Sequence, residues 1–260
     1  MNILSLGAGV QSSALLMLYE RGELSPKPDF AIFSDTGAEP KFVYDWLEKI
    51  KSLTSIPIHV VKKGNLFEDI KSTDGRRVAS IPLFVKNLSG KQGMLRRQCT
   101  QEYKITPIQK ECRRLLGYLP RQRIKEKITM IIGISTDEVT RMKPSRTHWI
   151  VNKYPLIFNK KWSRQDCIKY VESLGIGTPP KSACVFCPFH DDAQWRELKS
   201  KGGAGWQMAL DADRAIRNPI RIKGECFVHR SMLPLDQVDL DKHDDNLNLF
   251  ENECEGMCGV

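Results

Sequence analysis

Apolar residues in the first sixty positions alternate between short continuous runs and helical stripes. Residues 2–6 form an apolar run that ends in the turn Gly7-Ala8-Gly9. Residues 12–21 then place Leu15, Leu16, Leu18 and Tyr19 at helical spacing. Residues 30–33 read as a second buried strand, closed by Ser34-Asp35-Thr36-Gly37. Residues 40–53 set Phe42, Val43, Trp46, Leu47 and Ile50 on one stripe, with Pro40 suited to a first helical turn. Residues 56–61 are a third strand. This strand–helix alternation predicts a parallel sheet. Ligands of such sheets sit at the carboxyl ends of the strands, where the turns at 7–13 and 35–39 lie.

Further along, residues 71–98 have few periodic stretches and read as loop. Residues 103–116 are helical in pattern. Residues 128–134 form an apolar strand ending in Ser135-Thr136-Asp137-Glu138. Ser163 opens another helix, with Asp166 placed for a reciprocal cap, and Gly175, Gly177 and Pro179-Pro180 stop it. Two more helices are expected near 193–200 and 206–217. The pattern as a whole predicts an α/β protein. Residues 1–180 form a parallel sheet flanked by helices in three layers, and residues 181–260 form a cysteine-containing lobe with an acidic tail packed on it.

At 260 residues, 41% hydrophobic and 27% charged, the chain has the composition of an ordinary globular protein that folds unaided. No apolar run approaches the ~18–20 residues of a membrane span. The opening MNILSLGAGVQ carries no basic stretch ahead of its apolar residues, so no secretory leader and a cytoplasmic location are expected. The eight cysteines are Cys99, Cys112, Cys167, Cys184, Cys187, Cys226, Cys254 and Cys258. In a cytoplasmic chain their pairs at 184/187 and 254/258 point to metal or redox chemistry. The net charge of +9 is uneven: residues 71–130 hold fifteen Lys/Arg against four Asp/Glu, whereas 233–260 are acidic. A basic middle fits a polyanionic partner, nucleotide phosphates or nucleic acid, and equally fits a solvated face.

Three turns carry candidate chemistry. In Ser5-Leu6-Gly7-Ala8-Gly9-Val10-Gln11-Ser12-Ser13, small residues let the backbone approach phosphates, and the next helix supplies free amides. No Gly-Lys-Ser/Thr follows, and a third Rossmann glycine is missing. In Asp35-Thr36-Gly37, Asp35 can accept from a ribose or an adenine amino group, or cap a helix. In Gly133-Ile134-Ser135-Thr136-Asp137-Glu138-Val139-Thr140-Arg141, a carboxylate can hold an arginine against a phosphate or sulfate.

Taken together, these turns resemble the sulfonucleotide (PAPS/APS) reductase branch of the PP-loop, or adenine nucleotide α-hydrolase, superfamily. That family has a first-strand glycine/serine loop, a second-strand Asp-Thr-Gly and a later Gly-Ile-x-x-Asp-Glu-x-x-Arg segment. The similarity runs on through Tyr154-Pro155-Leu156 and Trp162-Ser163-x-x-Asp166. Gln11 stands where ATP-using relatives carry Asp, and Gly7 where they carry Ser. The resemblance implies an adenine nucleotide, ATP or APS/PAPS, bound by Ser5, Gly7, Gly9, Gln11, Ser12, Ser13, Asp35, Thr36, Gly37, Lys104, Gly133 and Glu138. Asp137 and Arg141 would act at the reacting end, with Mg²⁺ where ATP is the ligand. Arg96, Arg97 and Arg146 are further cations expected near the anion.

Cys184-Val-Phe-Cys187-Pro188 has the spacing of a two-thiolate chelate. Cys99, in Cys99-Thr100-x-x-x-Lys104-x-x-Pro107, resembles the Cys-Cys-x-x-x-Lys-x-x-Pro segment of cluster-containing APS reductases, with Thr100 in place of the second cysteine. The resemblance implies a [4Fe–4S] cluster held by Cys99, Cys184 and Cys187, with Cys254 as fourth ligand; structural zinc is the alternative. The tail Cys258-Gly259 is similar to the family's Glu-Cys-Gly, with Met257 replacing Glu. Cys258 is then either the nucleophile or a further metal ligand.

Three functions follow as expectations. The first is ATP-dependent adenylation with sulfur transfer onto RNA, DNA or a nucleotide, fed by a sulfur donor. The second is thiol-dependent reduction of PAPS or APS, served by a thioredoxin-like reductant. The third is a nucleotide- and metal-binding module without turnover.

Overall fold

The computed structural model describes residues 1–72, 81–219 and 222–241. Its first half is built as the periodicity predicts. Strand β1 (Asn2–Leu6) leads into helix α1 (Val10–Glu20), β2 (Phe30–Asp35) into α2 (Lys41–Ser52), and β3 (Ile58–Lys62) follows. After α3 (Leu66–Lys71) come the short strands β4 (Phe84–Lys86) and β5 (Gln92–Met94), and then α4 (Thr106–Leu115). Strands β6 (Ile128–Ile131) and β7 (Ile150–Lys153) complete the main sheet, and α5 (Arg164–Ser173) returns across it. Helices α6 (Asp192–Lys201) and α7 (Gly203–Ala215) and strand β8 (Glu225–Phe227) close the described chain.

The main sheet has the order β3-β2-β1-β6-β7, with every pair parallel. The α/β class and the helix-flanked parallel sheet expected from sequence are therefore present. One face carries α1, α2 and α5, whose Leu15, Val43, Trp46, Cys167 and Val171 share a core with Leu4, Leu6 and Phe33 of the sheet. Helix α1 is buried on nearly every side, from Val10 to Tyr19, with the polar Gln11, Ser12 and Ser13 of its first turns buried too. The opposite face packs Ile108 and Cys112 of α4 against Ile3, Ile32 and Met130.

A second core joins Leu66, Ile70, Leu83 and Tyr103 to Phe186, Trp195, Ala212 and Val228. The C-terminal lobe thus draws on the middle of the chain as well. A small antiparallel sheet, β5-β4-β8, ties the two together. The stretch read as loop contains β4 and β5, whose brevity leaves no period to detect. The helix expected over 103–116 begins with a wide π-type turn, Thr100–Ile105, before Pro107 starts α4. The Ser163–Asp166 reciprocal cap of α5 forms as expected. No helix among the described residues is long and apolar enough to cross a membrane.

Candidate functional site

The strand order reverses direction between β1 and β6. At such a switch point the connections leave to opposite sides, and a crevice opens beyond the carboxyl ends of the strands. The turn after β1 enters it with Ala8 in the left-handed region, φ 56°. Gly9 is the N-cap of α1 and supplies no side-chain bond, so the first-turn amides are left for other partners. Ser12 turns back, its Oγ accepting from the Gly7 amide at 3.2 Å. Ser13 Oγ accepts from the Trp46 indole at 2.9 Å, pinning α2 to the start of α1. From the other side, Gly133 lies so close that an added Cβ would meet the Ser12 amide nitrogen at 3.0 Å. Any side chain at 133 would crowd the loop that follows β1.

Gln11 bridges the two sides of the crevice. Its Nε2 donates to Ser135 Oγ at 3.2 Å and to Glu138 Oε2 at 3.1 Å. Arg164 Nη1 donates to Gln11 Oε1 at 3.4 Å. Glu138 also pairs with Arg141. Asp137 accepts from the Arg164 backbone amide, both oxygens at 3.1 Å, and so caps α5. Gln11, Ser12, Ser13 and Ser135 are buried and form the inner wall, with Ser5 buried in β1 beneath them. Glu138, Arg141 and Arg164 are half-buried at the mouth, where Asp137 is exposed.

Next to this crevice, Asp35 ends β2. Its carboxylate accepts from Tyr44 Oη at 2.7 Å, the Gly37 amide at 2.7 Å and Lys62 Nζ at 3.1 Å. Burial opposes its ionisation, but these donors outweigh burial and hold the carboxyl below its usual range. Gly37, at φ 71°, makes the turn possible, and an added Cβ there would crowd Asn65, the cap of α3. A native pKa below the unfolded one means Asp35 contributes stability above about pH 3.9, lost as pH falls through the native value. Asp35→Asn is therefore expected to flatten the acid limb of stability, read from urea unfolding between about pH 2 and 6.

The cysteine turn stacks beneath Asp35-Thr36-Gly37. Thr36 Oγ1 lies 3.4 Å from Cys184 Sγ, and the Val185 amide donates to Ala38 O at 2.8 Å. Glu39 accepts from Lys104 Nζ at 3.3 Å and from Ser182 Oγ at 3.3 Å, with Lys104 and Glu39 both buried. Burial, and then the Glu39 charge, push the Cys184 thiol well above its usual value. Cys184 and Cys187 share a tight turn, closed by the Cys187 amide on Cys184 O at 2.9 Å, and Cys99 immediately precedes the Thr100–Ile105 turn. Among the described residues, no three Cys, His, Asp or Glu side chains gather in a group able to hold a metal ion. Cys99, Cys184 and Cys187 therefore form no such group among the described residues. Cys254 and Cys258 lie outside the described residues.

The structure brings Gly9, Gln11, Gly133, Ser135, Glu138 and Arg141 together and sets the Asp35 turn on the neighbouring strand. Lys104, expected to face the ligand, has its charge met by Glu39. A cavity of about 510 Å³ lies elsewhere, between Trp46 and Lys49 of α2 and the segment holding Pro180 and His190. Sequence reasoning missed Arg164, Glu39 and Tyr44. Arg164 carries a signal: a cation at the first position of a helix opposes the helix dipole, and a broken local rule marks a working residue. Tyr44 reads simply as one more helix residue.

The chain is similar to a PAPS reductase. The solved structure is phosphoadenylyl-sulfate (PAPS) reductase from Candida auris in a phosphate complex, at 15% sequence identity and a TM-score of 0.46, over 68% of this chain and 74% of that one. No family model matches the sequence, and no curated protein is significantly similar to it.

Proposed function

We propose that this chain is an enzyme that binds an adenine nucleotide across the β1–β6 switch point and reduces a sulfonucleotide, APS or PAPS, with thiol electrons. The observation that carries the reading is the Gln11 bridge to Ser135, Glu138 and Arg164. It ties the first loop to the Asp-Glu-Arg turn at the place where the strand order reverses. In this reading the first-turn amides of α1 take a phosphate. Arg141 and Arg164 meet the anionic end of the ligand. Asp35 faces the nucleoside. A neutral amide at position 11, where ATP users carry a carboxylate, avoids repulsion of a dianionic mixed anhydride.

The reacting group is the Cys258 thiolate. It attacks the sulfate sulfur, the S–O bond to the nucleotide breaks, and AMP or adenosine 3′,5′-bisphosphate leaves with the electron pair. Cys258 becomes an S-sulfonate. One thiolate of a thioredoxin-like dithiol then attacks Cys258 Sγ and expels sulfite, and the second closes the partner's disulfide and frees Cys258. The test is sulfite release from APS and PAPS with a dithiol reductant. Cys258→Ser is expected to abolish it; wild-type rates in that variant would remove the covalent step.

A second reading, ATP-dependent adenylation with sulfur transfer onto nucleic acid, is favoured by the +9 charge and the fifteen cations of residues 71–130. It predicts pyrophosphate release from ATP, stimulated by RNA or DNA and indifferent to sulfonucleotides.

A further inference from the structure

At the amino ends of the strands, the segment leading into β6 and the turn leading into β7 enclose a shallow cavity of about 390 Å³, lined by Arg123, Lys125, Lys127 and His148 over a floor of Ile124 and Trp149. Arg121, Arg123, Lys125 and Lys127 recur at every second residue and are all exposed, whereas Ile124 is buried. None of these four cations forms an ion pair among the described residues. Glu126, the one acid of residues 121–127, accepts a hydrogen bond from the Tyr118 hydroxyl.

The segment is braced from below. Arg113 Nη1 donates to the carbonyls of Leu119 and Gln122, the Leu119 amide donates to Gln122 Oε1 at 2.9 Å, and the Lys125 amide donates to Tyr118 Oη at 3.3 Å. The cations are therefore held as a row before any ligand arrives, which lowers the ordering cost of binding. Residues two apart lie at most about 7 Å from each other along the chain, so these cations reach neighbouring phosphates of one strand.

We propose that this row is a docking surface for the phosphate backbone of a nucleic-acid strand. Arg123, Lys125 and Lys127 line one cavity and complement the closely spaced phosphates of a strand, and the exposed ring of His148 beside them suits base stacking. The surface precedes β6 and β7, whereas the nucleotide crevice follows β1 and β6. A strand length of about 13 Å separates them, so the two sites are independent and a nucleic acid bound here is held without entering the crevice.

The test uses the full chain and a fluorescein-labelled single-stranded DNA of about 20 nucleotides, followed by anisotropy between about 50 and 200 mM salt. Wild type is expected to bind, with log K falling linearly against log salt. The triple variant Arg123→Gln/Lys125→Gln/Lys127→Gln is expected to bind more than about tenfold more weakly, with a slope shallower by about 2, since each phosphate contact on a single strand contributes about 0.7. Lys125→Glu alone is expected to weaken binding several-fold. Unchanged thermal unfolding and unchanged nucleotide binding in these variants separate loss of the row from loss of the crevice. The proposal is overturned if wild type does not bind, if the triple variant keeps wild-type affinity and slope, or if polyglutamate binds the row as tightly as the oligonucleotide.

Discussion

Replacing Lys104 with methionine is expected to destabilise the protein by about 3–5 kcal/mol. Lys104 and Glu39 are both buried and 3.3 Å apart, and Glu39 takes its second bond from Ser182. Removing the ammonium leaves a carboxylate sealed beneath the Asp35 turn without its counter-charge. The cost is mainly that of the stranded anion, since a paired buried charge is itself close to break-even with an apolar pair of the same volume. Lys104→Met combined with Glu39→Gln is therefore expected to recover most of the loss. The Gln keeps an acceptor for Ser182 and carries no charge. Urea unfolding of the two single variants and the double variant measures the coupling. A double variant as unstable as Lys104→Met would mean that Lys104 supports the fold through its packing alone. Because the pair lies between the Thr36–Cys184 contact and α4, its loss is also expected to loosen the cysteine turn and raise Cys184 alkylation.

Arg141→Ala is expected to weaken nucleotide binding by about 10- to 100-fold. A hydrogen bond to a charged group contributes about 1.5–3 kcal/mol, and each 1.4 kcal/mol is a factor of ten. Arg141 is held by Glu138, which Gln11 holds in turn, so the guanidinium is aimed before the ligand arrives. Arg141→Lys keeps the charge and loses the planar fork, and is expected to restore only part of the affinity. Titration calorimetry with APS, PAPS and ATP reads the effect. Full affinity in Arg141→Ala, with an unchanged unfolding midpoint, would take Arg141 out of the site.

Much of the half that holds the parallel sheet was legible because its elements obey local rules. The short apolar runs at 2–6, 30–33 and 128–134, each closed by a turn, mark the buried strands β1, β2 and β6, the last of which ends at Ile131, and the α2 stripe has a clear period. The Ser163–Asp166 cap follows from two residues three apart. The small sheet was not legible: β4 and β8 each have three residues, and Val85 pairs with Cys226 across about 140 positions of chain, a distance over which no period can speak. The site divides in the same way. Gly9, Gln11, Asp35, Glu138 and Arg141 announced themselves as turns after strands, in family order. The assignment of Lys104 to the ligand and of Cys99, Cys184 and Cys187 to one metal came from the family resemblance, which says nothing of the acid that Lys104 meets in the fold. The partner of Lys104 is Glu39, which sequence marks only as an acid before a proline. That choice is made by packing between α4 and the β2 turn.

The account turns on three loops sharing one nucleotide. Backbone amide shifts of the isotope-labelled protein, followed by NMR during titration with APS, test this directly. The predicted result is saturable perturbation concentrated at 7–13, 35–39 and 133–141, with residues 121–127 unmoved. Saturable perturbation confined to other surfaces, with those three loops silent, would contradict it.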